Sequence, residues 1–299
     1  MPHDPGRGHA PTADHEVREG HHPARLTRSP ARQLGWYKMN DRMAQLPDHV
    51  GLLLLGEDET FLGSTFPISQ PDKLYLGAGH TIPADRQDEL RIAIHDPSGR
   101  LAITKVVAVE VLTGQPDVVV LRAEDGAPPL FRPGLAADPA FIWDDAIAVG
   151  YPQSDLREVE PGTWVPGIRG LAGTVTRKVE AGDELRVVGP AYEVSFAIPA
   201  GMSGGPVLSM RAGIPLGLIG VCLGNVSATS FLSGEEVEIR GEQRVIRQEK
   251  QMIEYGIVAN LHRSAESRIA LVDTSLAELI GFQTPTGFQA PTPETPQSV

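Results

Sequence analysis

Three glycines and two prolines surround one serine, Ser203, in the stretch A-I-P-A-G-M-S-G-G-P-V-L from Ala197 to Leu208. Glycine accepts backbone conformations with positive φ and allows other backbone to approach closely, so this stretch predicts a sharp turn around Ser203. Pro206 and the V-L pair behind it predict a strand on the far side of the turn. The fold must therefore present a serine hydroxyl on a tight loop between short extended segments.

Glycine (32 residues) and proline (26 residues) recur along the chain and separate short runs of valine, isoleucine and leucine. This pattern is typical of an all-β sandwich or barrel. A chain of 299 residues with 41% apolar and 21% charged residues is long enough for one large or two small hydrophobic cores. We therefore expect a globular, all-β protein.

The loop around Ser203 has the composition that a nucleophilic serine requires. Attack on a carbonyl needs backbone N–H groups aimed at the oxyanion that forms, and neighbouring side chains would obstruct them. We expect Gly201 and Ser203 to supply these N–H groups. The same letters also satisfy G-x-S-x-G, the nucleophile elbow of α/β-hydrolases, in which a helix follows the serine and the acid and the histidine come later. Pro206 argues against that helix, and His262 is the only histidine after Ser203.

The run G-x-S-G-G-P resembles the active-site loop of the trypsin-like serine peptidases of the chymotrypsin fold, and in its surroundings the disulfide-free bacterial HtrA-type members. His80 follows a strand-like run and the small residues G-A-G, as the histidine of that family does. Asp117 opens the run D-V-V-V-L-R like the acid of the family, although Val119 replaces the usual small residue. The resemblance implies a catalytic triad of His80, Asp117 and Ser203. The weaker alternatives for these roles lie in or beside strands, or too late in the chain: His49, His95, Asp144 and Asp145.

The resemblance also implies two six-stranded antiparallel β-barrels, and we see no PDZ-like module. We expect a short C-terminal helix after the barrels. The two ends lie outside the resemblance and are expected to be disordered, because they are rich in proline and poor in large apolar side chains. The expected segments are an N-terminal arm (1–33), a short helix with the first barrel (34–125), an interbarrel linker (126–139), the second barrel with the C-terminal helix (140–282) and a proline-rich tail (283–299). We expect the first helix to have an apolar stripe that consists of Trp36, Met39, Met43 and Leu46. Ser275 and Glu278 form a capping box that begins the second, which Gly281 can close.

The N-terminal arm contains five of the nine histidines, namely His3, His9, His15, His21 and His22. Their spacing matches no metal-ligand pattern and no cysteine accompanies them, so we expect a solvated arm and no metal site. The hydrolysis that the resemblance implies needs no cofactor either.

Charge and cysteine content limit the partners and the compartment. The net charge of −12 argues against non-specific binding to nucleic acid. The single cysteine, Cys222, excludes internal disulfides and is typical of a reducing compartment. The first 50 residues contain no apolar segment of signal-peptide length, so we expect a cytoplasmic protein without membrane association. The resemblance to the HtrA-type members implies a bacterial protein. The oligomeric state stays open.

The resemblance implies hydrolysis of a peptide bond in a protein or peptide substrate through an acyl-enzyme. It places the base of the specificity pocket at Ala197, where cleavage after arginine or lysine would need an acid, and its wall at Leu223, Gly224 and Asn225. We therefore predict small or medium apolar residues at P1, the substrate residue before the scissile bond. Glu193 is close enough in the chain to change this prediction.

Two further expectations depend on the resemblance. Met202 occupies the position at which digestive zymogens have an aspartate that pairs with a new N-terminus, so activation by insertion of a terminus is not expected. The alternative function is a catalytically silent peptide-binding or scaffold protein of the same fold.

Overall fold

The computed structural model of the chain describes residues 49–95, 101–125, 134–160, 163–182, 188–210, 217–240 and 243–283. By its internal contacts the chain divides into Met1–Asn40 and Asp41–Val299, and every described residue belongs to the second unit. The predicted arm, the helix around Trp36 and the tail beyond residue 283 lie outside the described residues.

The first six strands close into an antiparallel barrel in the order β1-β2-β3-β6-β5-β4. The strands are β1 (Gly51–Leu55), β2 (Thr60–Ser69), β3 (Leu74–Ala78), β4 (Leu90–His95), β5 (Leu101–Val111) and β6 (Val118–Ala123).

The run G-L-L-L-L of β1 is buried on both faces. Successive side chains of a strand point to opposite faces, so alternate leucines meet different neighbours. Leu53 and Leu55 fill the interior of the first barrel. Leu52 and Leu54 pack against Ile147 of the second barrel and residues around it. A continuous apolar run is needed here because β1 lies between the two barrels.

The second barrel closes in the order β13-β8-β11-β12-β15-β14, with a further pairing of β13 with β14. Its strands are β8 (Asp145–Gly150), β11 (Arg169–Val179), β12 (Ala191–Val194), β13 (Pro206–Met210), β14 (Gly217–Arg240) and β15 (Gln243–Asn260). The two six-stranded barrels confirm the predicted chymotrypsin fold. Beyond Val226, β14 and β15 continue as a long hairpin.

Short elements extend and join the barrels. The strands β7 (Leu135–Ala136) and β18 (Phe282–Gln283) add to the edge of the second sheet, so the predicted linker contains a strand. Two small hairpins are formed by β9 (Leu156–Glu160) with β10 (Thr163–Pro166), and by β16 (Arg268–Ile269) with β17 (Thr274–Ser275).

The α-helix of the described region, α1 (Leu276–Ile280), begins at the predicted capping box. The Ser275 hydroxyl accepts the Glu278 N–H, and the Glu278 carboxylate accepts the Ser275 N–H. The hydrogen bond from the Ser275 N–H, together with those from the hydroxyls of Thr274 and Ser275, holds the pKa of the Glu278 carboxyl below its ordinary value. Leu276 and Ala277 pack into a core that includes Val120 of the first barrel and Leu218 of the second. The helix therefore covers a junction between the barrels.

Two hydrogen bonds of the Gln115 side chain also join the barrels near Asp117. Gln115 is 2% exposed, and its side-chain amide donates to the carbonyls of Pro190 at 2.7 Å and Asn260 at 3.0 Å. Because Gln115 lies two residues before Asp117, these hydrogen bonds hold the start of β6 against the second barrel.

Cys222 is fully buried in the second barrel, and burial raises the pKa of its thiol to about 12. A thiol that stays protonated is a poor nucleophile, so Cys222 serves as a small apolar core residue. Within the described residues no helix is long and apolar enough to span a membrane.

Candidate active site

The pairing of β3 with β6 brings His80 and Asp117 together. Ala78 lies opposite Val118, so the residue after β3 and the residue before β6 are neighbours. The Gly79 N–H donates to the Asp117 carbonyl at 2.9 Å, and the His80 N–H donates to Asp117 Oδ1 at 2.7 Å. The sequence could predict each residue at a strand end, and the register explains why they meet.

The Asp117 carboxylate also fixes the ring of His80. His80 Nδ1 lies 2.9 Å from Asp117 Oδ2 and 3.1 Å from Oδ1. An ionised carboxylate can only accept a hydrogen bond, so this geometry assigns the proton to Nδ1 and leaves Nε2 as a base. The His80 side chain is 43% exposed and that of Asp117 is 19% exposed. The ring is thus accessible while the group that orients it is largely covered.

The loop with Ser203 is a tight turn whose apolar side is buried. Gly201 and Gly204 have φ angles of +94° and +90°. Met202 is fully buried among apolar residues of the second barrel, including Ile198 and Cys222. Ser203 is followed by β13, a strand, which excludes the nucleophile elbow of the α/β-hydrolases. The loop therefore depends on apolar packing where zymogens place an aspartate.

Some backbone N–H groups of this loop are hydrogen-bonded and others are not. The Met202 N–H donates to the Pro199 carbonyl at 3.1 Å, the Gly204 N–H to the Cys222 carbonyl at 2.8 Å and the Gly205 N–H to the Met202 carbonyl at 2.9 Å. Among the described residues, the N–H groups of Gly201 and Ser203 have no hydrogen-bond acceptor. These are the two groups that the sequence predicted as oxyanion donors. Two unpaired N–H groups beside a serine are available to a developing negative charge.

Ser64 of β2 holds the loop from the side of the first barrel. Its N–H donates to the Ser203 carbonyl at 2.8 Å, and its hydroxyl donates to the Gly201 carbonyl at 2.9 Å. The hydroxyl also accepts the Tyr151 N–H at 2.9 Å. Sequence reasoning missed Ser64 because its partners lie far away in the chain. A single serine within a strand has no local sequence pattern that would mark Ser64 as part of the site.

Gly63 shows that the loop and the turn with His80 are adjacent. A Cβ atom on Gly63 would lie 2.8 Å from the Ser203 carbonyl oxygen and 3.3 Å from Cγ2 of Thr81, the residue after His80. The Ser203 hydroxyl itself donates to the Leu223 carbonyl at 3.2 Å. If this hydroxyl were to transfer its proton to His80, it would first have to turn away from Leu223, a rearrangement that substrate binding commonly brings about.

Of the predicted pocket residues, Leu223 contacts the Ser203 hydroxyl, and Asn225 contacts two residues that were not predicted, Ile198 and Gly256. The Ile198 N–H donates to Oδ1 of Asn225 at 2.5 Å, which ties the segment after Ala197 to β14. A Cβ atom on Gly256 would lie 2.7 Å from Cγ1 of Ile198. Gly256 pairs with Asn225 in the ladder. The Ile198 side chain therefore fills the space over Gly256.

Glu193 does not supply an acid to this pocket. Its carboxylate accepts from the Thr176 hydroxyl at 2.8 Å and from the Arg177 guanidinium at 2.9 Å. On β12 its neighbours Tyr192 and Val194 point into the core, so Glu193 points away from it. The carboxylate is thus engaged on the outer face of the barrel.

The alternative histidines and acids occupy other places. His95 ends β4, and His49 is buried ahead of β1. Asp144 accepts the Phe141 N–H at 2.7 Å, in the turn before β8. His262 lies 3.3 Å from the Ala137 carbonyl oxygen.

The comparison with protein families agrees with this fold. Residues 63–218 match the family model of the trypsin-like peptidase domain. Similar solved structures include the inactive form of the Rv3671c protease, with 18% identity, a TM-score of 0.45 and coverage of 78% of this chain and 91% of that chain. They also include the active form of the Rv3671c protease from M. tuberculosis, with 18% identity, a TM-score of 0.48 and coverage of 91% and 97%. No curated protein sequence matches the chain. Since the family match spans just over half of its residues, the chain belongs to the family of trypsin-like peptidase domains.

Proposed function

We propose that this protein is a serine endopeptidase that hydrolyses peptide bonds through an acyl-enzyme. The observation that carries the proposal is the pair of N–H groups without an acceptor at Gly201 and Ser203. The loop that contains them packs beside the turn with His80, whose ring is oriented by Asp117. This arrangement combines a nucleophile, a base with an assigned tautomer and two oxyanion donors.

The reaction has two halves. His80 Nε2 accepts the Ser203 proton as Oγ attacks the carbonyl carbon, and the N–H groups of Gly201 and Ser203 bind the oxyanion. The C–N bond then breaks, and the proton passes from Nε2 to the leaving amine. Water, deprotonated by His80, attacks the acyl-enzyme in the second half, and the proton returns to Ser203 as the acid product leaves.

The pocket supports small or medium apolar P1 residues. Ala197 offers no charge, Glu193 is engaged by Arg177, and Ile198 reduces the space over Gly256. A cationic side chain would lose its hydration without gaining a partner.

An unbiased peptide library tests the function directly. Cleavage products identified by mass spectrometry should show internal cleavage after small or medium apolar residues. A profile dominated by arginine or lysine would contradict the pocket assignment. Retained peptide binding without cleavage would instead establish the silent binding protein.

Replacement of Asp117 by asparagine should lower kcat by about 10⁴-fold with little change in KM, because an amide can donate to Nδ1 and select the wrong tautomer of His80. Asp144→Asn is the matched control, since Asp144 also accepts a backbone N–H but lies in another turn. Equal losses in both variants would show that the carboxylate at position 117 acts only on stability.

Ile198→Ala should shift the P1 preference toward larger residues. Truncation opens the space over Gly256, so the ratio of kcat/KM for P1 phenylalanine to P1 alanine should rise about ten-fold. Val207→Ala truncates another buried side chain of the same apolar cluster and serves as the control. An unchanged ratio in Ile198→Ala, with the variant folded, would place the P1 side chain elsewhere.

A further inference from the structure

Three consecutive apolar residues project from the second barrel, on the turn that precedes β8. Phe141, Ile142 and Trp143 are 52%, 48% and 77% exposed. Among the described residues, no large apolar side chain is more exposed than that of Trp143. Single exposed apolar residues are common on protein surfaces, but a contiguous apolar patch marks a contact with a partner or a membrane. We call residues 141–143 the apolar tip.

The backbone of the apolar tip adopts a conformation that its sequence does not favour. The Asp144 N–H donates to the Phe141 carbonyl at 3.1 Å, which closes a β-turn with Trp143 at its third position. Trp143 has a φ of +76°, and turns of this kind usually have glycine or asparagine there. A bulky side chain makes such a φ unfavourable. Because glycine would remove this cost, the presence of tryptophan points to a function of its side chain.

Hydrogen bonds to the barrel hold the turn in place. The Trp143 N–H donates to the Val175 carbonyl at 2.8 Å, and the Val175 N–H donates to the Asp144 carbonyl at 2.9 Å. The Asp144 carboxylate accepts the Phe141 N–H at 2.7 Å, so this acid takes part in the turn itself. The three apolar side chains are therefore presented on a well-supported turn.

A lysine accompanies the apolar side chains. Lys178 of β11 is exposed, and its Nζ lies 5.0 Å from the centre of the Phe141 ring. An ammonium group beside an apolar patch matches the order of groups in a lipid surface, where phosphates lie outside the acyl chains. Tryptophan favours this boundary because its ring is mostly apolar while its indole N–H can donate a hydrogen bond.

The size of the apolar tip favours a lipid surface over a protein partner. An aromatic side chain covers about 150–250 Å² when it is buried, so the exposed parts of these three side chains amount to roughly 300–400 Å². A stable protein interface needs about 800 Å² from each partner. The exposed acids Asp138 and Asp145 precede and follow the tip in the chain, so the apolar run is short on both sides.

We infer that the apolar tip is a peripheral anchor for an electrically neutral lipid surface. Phe141, Ile142 and Trp143 insert among the headgroups, and Lys178 meets a lipid phosphate. The flanking acids and the net charge of −12 oppose binding to anionic lipids. This inference goes beyond the proposed peptidase function. It also differs from the sequence-based expectation of no membrane association, which rested on the lack of a long apolar segment.

The apolar tip and the candidate active site lie at opposite ends of β8. The tip comes just before Asp145, the first residue of the strand. Tyr151 follows the last residue, and its N–H donates to the hydroxyl of Ser64, which holds the loop with Ser203. The six residues of the strand separate the two ends by roughly 20 Å. A lipid surface bound at the tip therefore need not cover the candidate active site.

Co-sedimentation of the full-length protein with phosphatidylcholine vesicles tests the inference. The unmodified protein should pellet with the vesicles, and its tryptophan emission should shift to shorter wavelengths. Trp143→Gly should lower the partition coefficient about ten-fold or more and remove the shift. This substitution deletes the inserted side chain and leaves a residue that accepts the φ of +76°. Lys178→Gln should weaken binding to a smaller extent, because one contact to phosphate is lost.

Val107→Ala is the matched control, since Val107 is an exposed apolar residue on β5 of the first barrel. This variant should bind vesicles like the unmodified protein. Thermal unfolding of each variant shows that it is folded, and cleavage of a soluble peptide should be unchanged in Trp143→Gly. Adding phosphatidylglycerol to the vesicles should weaken binding of the unmodified protein.

Three results with vesicles would overturn the inference: no binding of the unmodified protein, binding that a folded Trp143→Gly variant retains in full, or binding only to vesicles that contain phosphatidylglycerol. Self-association without lipid that Trp143→Gly abolishes would also overturn it, because the tip would then be a contact between copies of the chain. Failure to cleave peptides would overturn the proposed function and leave the anchor intact.

Discussion

Replacing Ser203 with alanine is expected to lower kcat by about 10⁶-fold and to abolish labelling by a fluorophosphonate. The reason is that the nucleophilic oxygen is lost while His80, Asp117 and both oxyanion N–H groups remain. The fold should persist, because among the described residues the Ser203 side chain makes a single hydrogen bond, to the Leu223 carbonyl. Such a bond contributes about 1 kcal/mol to stability. Peptide cleavage and thermal unfolding, measured on the same preparation, separate the two effects.

Ser209→Ala is the matched control for this experiment. Ser209 and Ser203 are equally buried, at 8% exposure, and Ser209 lies on β13 a few residues later. Its replacement should leave cleavage and labelling close to those of the unmodified protein. Persistent labelling of Ser203→Ala would mean that another residue is the nucleophile.

Gly204→Ala is expected to abolish activity and to lower the free energy of unfolding by roughly 3–5 kcal/mol. A Cβ atom on Gly204 would lie 2.0 Å from the Ser64 carbonyl oxygen and 3.1 Å from the Ala78 nitrogen. Both are backbone atoms of the first barrel, so the clash cannot be relieved by the movement of a side chain. The loop would have to shift away from β2, and both oxyanion donors would shift with it. Denaturant unfolding and peptide cleavage measure the two losses.

Gly182→Ala isolates the contribution of backbone conformation. Gly182 has a φ of +83°, close to the +90° of Gly204, but a Cβ atom there would meet no atom of the described residues within 4 Å. This variant should lose only about 1–2 kcal/mol of stability and keep its activity. An equal effect of the two substitutions would show that close packing on Ser64 is not what requires glycine at position 204.

The sequence allowed prediction of local features of the site, because these depend on local chemistry. Glycines around Ser203 predicted the turn, the strand-like runs predicted β3 and β6, and Ser275 with Glu278 predicted the start of α1. The family resemblance then supplied the order of the triad. The register of β3 with β6 explains in physical terms how His80 meets Asp117.

Features that depend on long-range packing escaped prediction. Ser64 lies in an ordinary strand, and its hydrogen bonds to the serine loop reach across two barrels. The Ile198 side chain fills the space over Gly256, and this contact depends on the register of β14 with β15, which no local pattern encodes. Glu193 looked relevant to the pocket by its position in the chain, but strand alternation turns it outward to Arg177.

Packing within the chain also orders the loop around Ser203. Met202 is fully buried in the apolar core, and Ser64 binds the carbonyls on both sides of it, at Gly201 and Ser203. These contacts come from packing already present in the chain. We therefore expect the loop to be ordered without a salt bridge from a newly formed N-terminus.

The most direct test of the account is to locate the adduct formed when the native protein reacts with a fluorophosphonate. Tandem mass spectrometry of the digested protein should find the phosphonyl group on Ser203 and on no other residue. The adduct should be absent from urea-unfolded protein and from a folded His80→Ala variant, because both lack the base that activates the hydroxyl. An adduct on a different residue, or labelling of Ser203 that is unaffected by the loss of His80, would contradict the assignment of Ser203 as a His80-activated nucleophile.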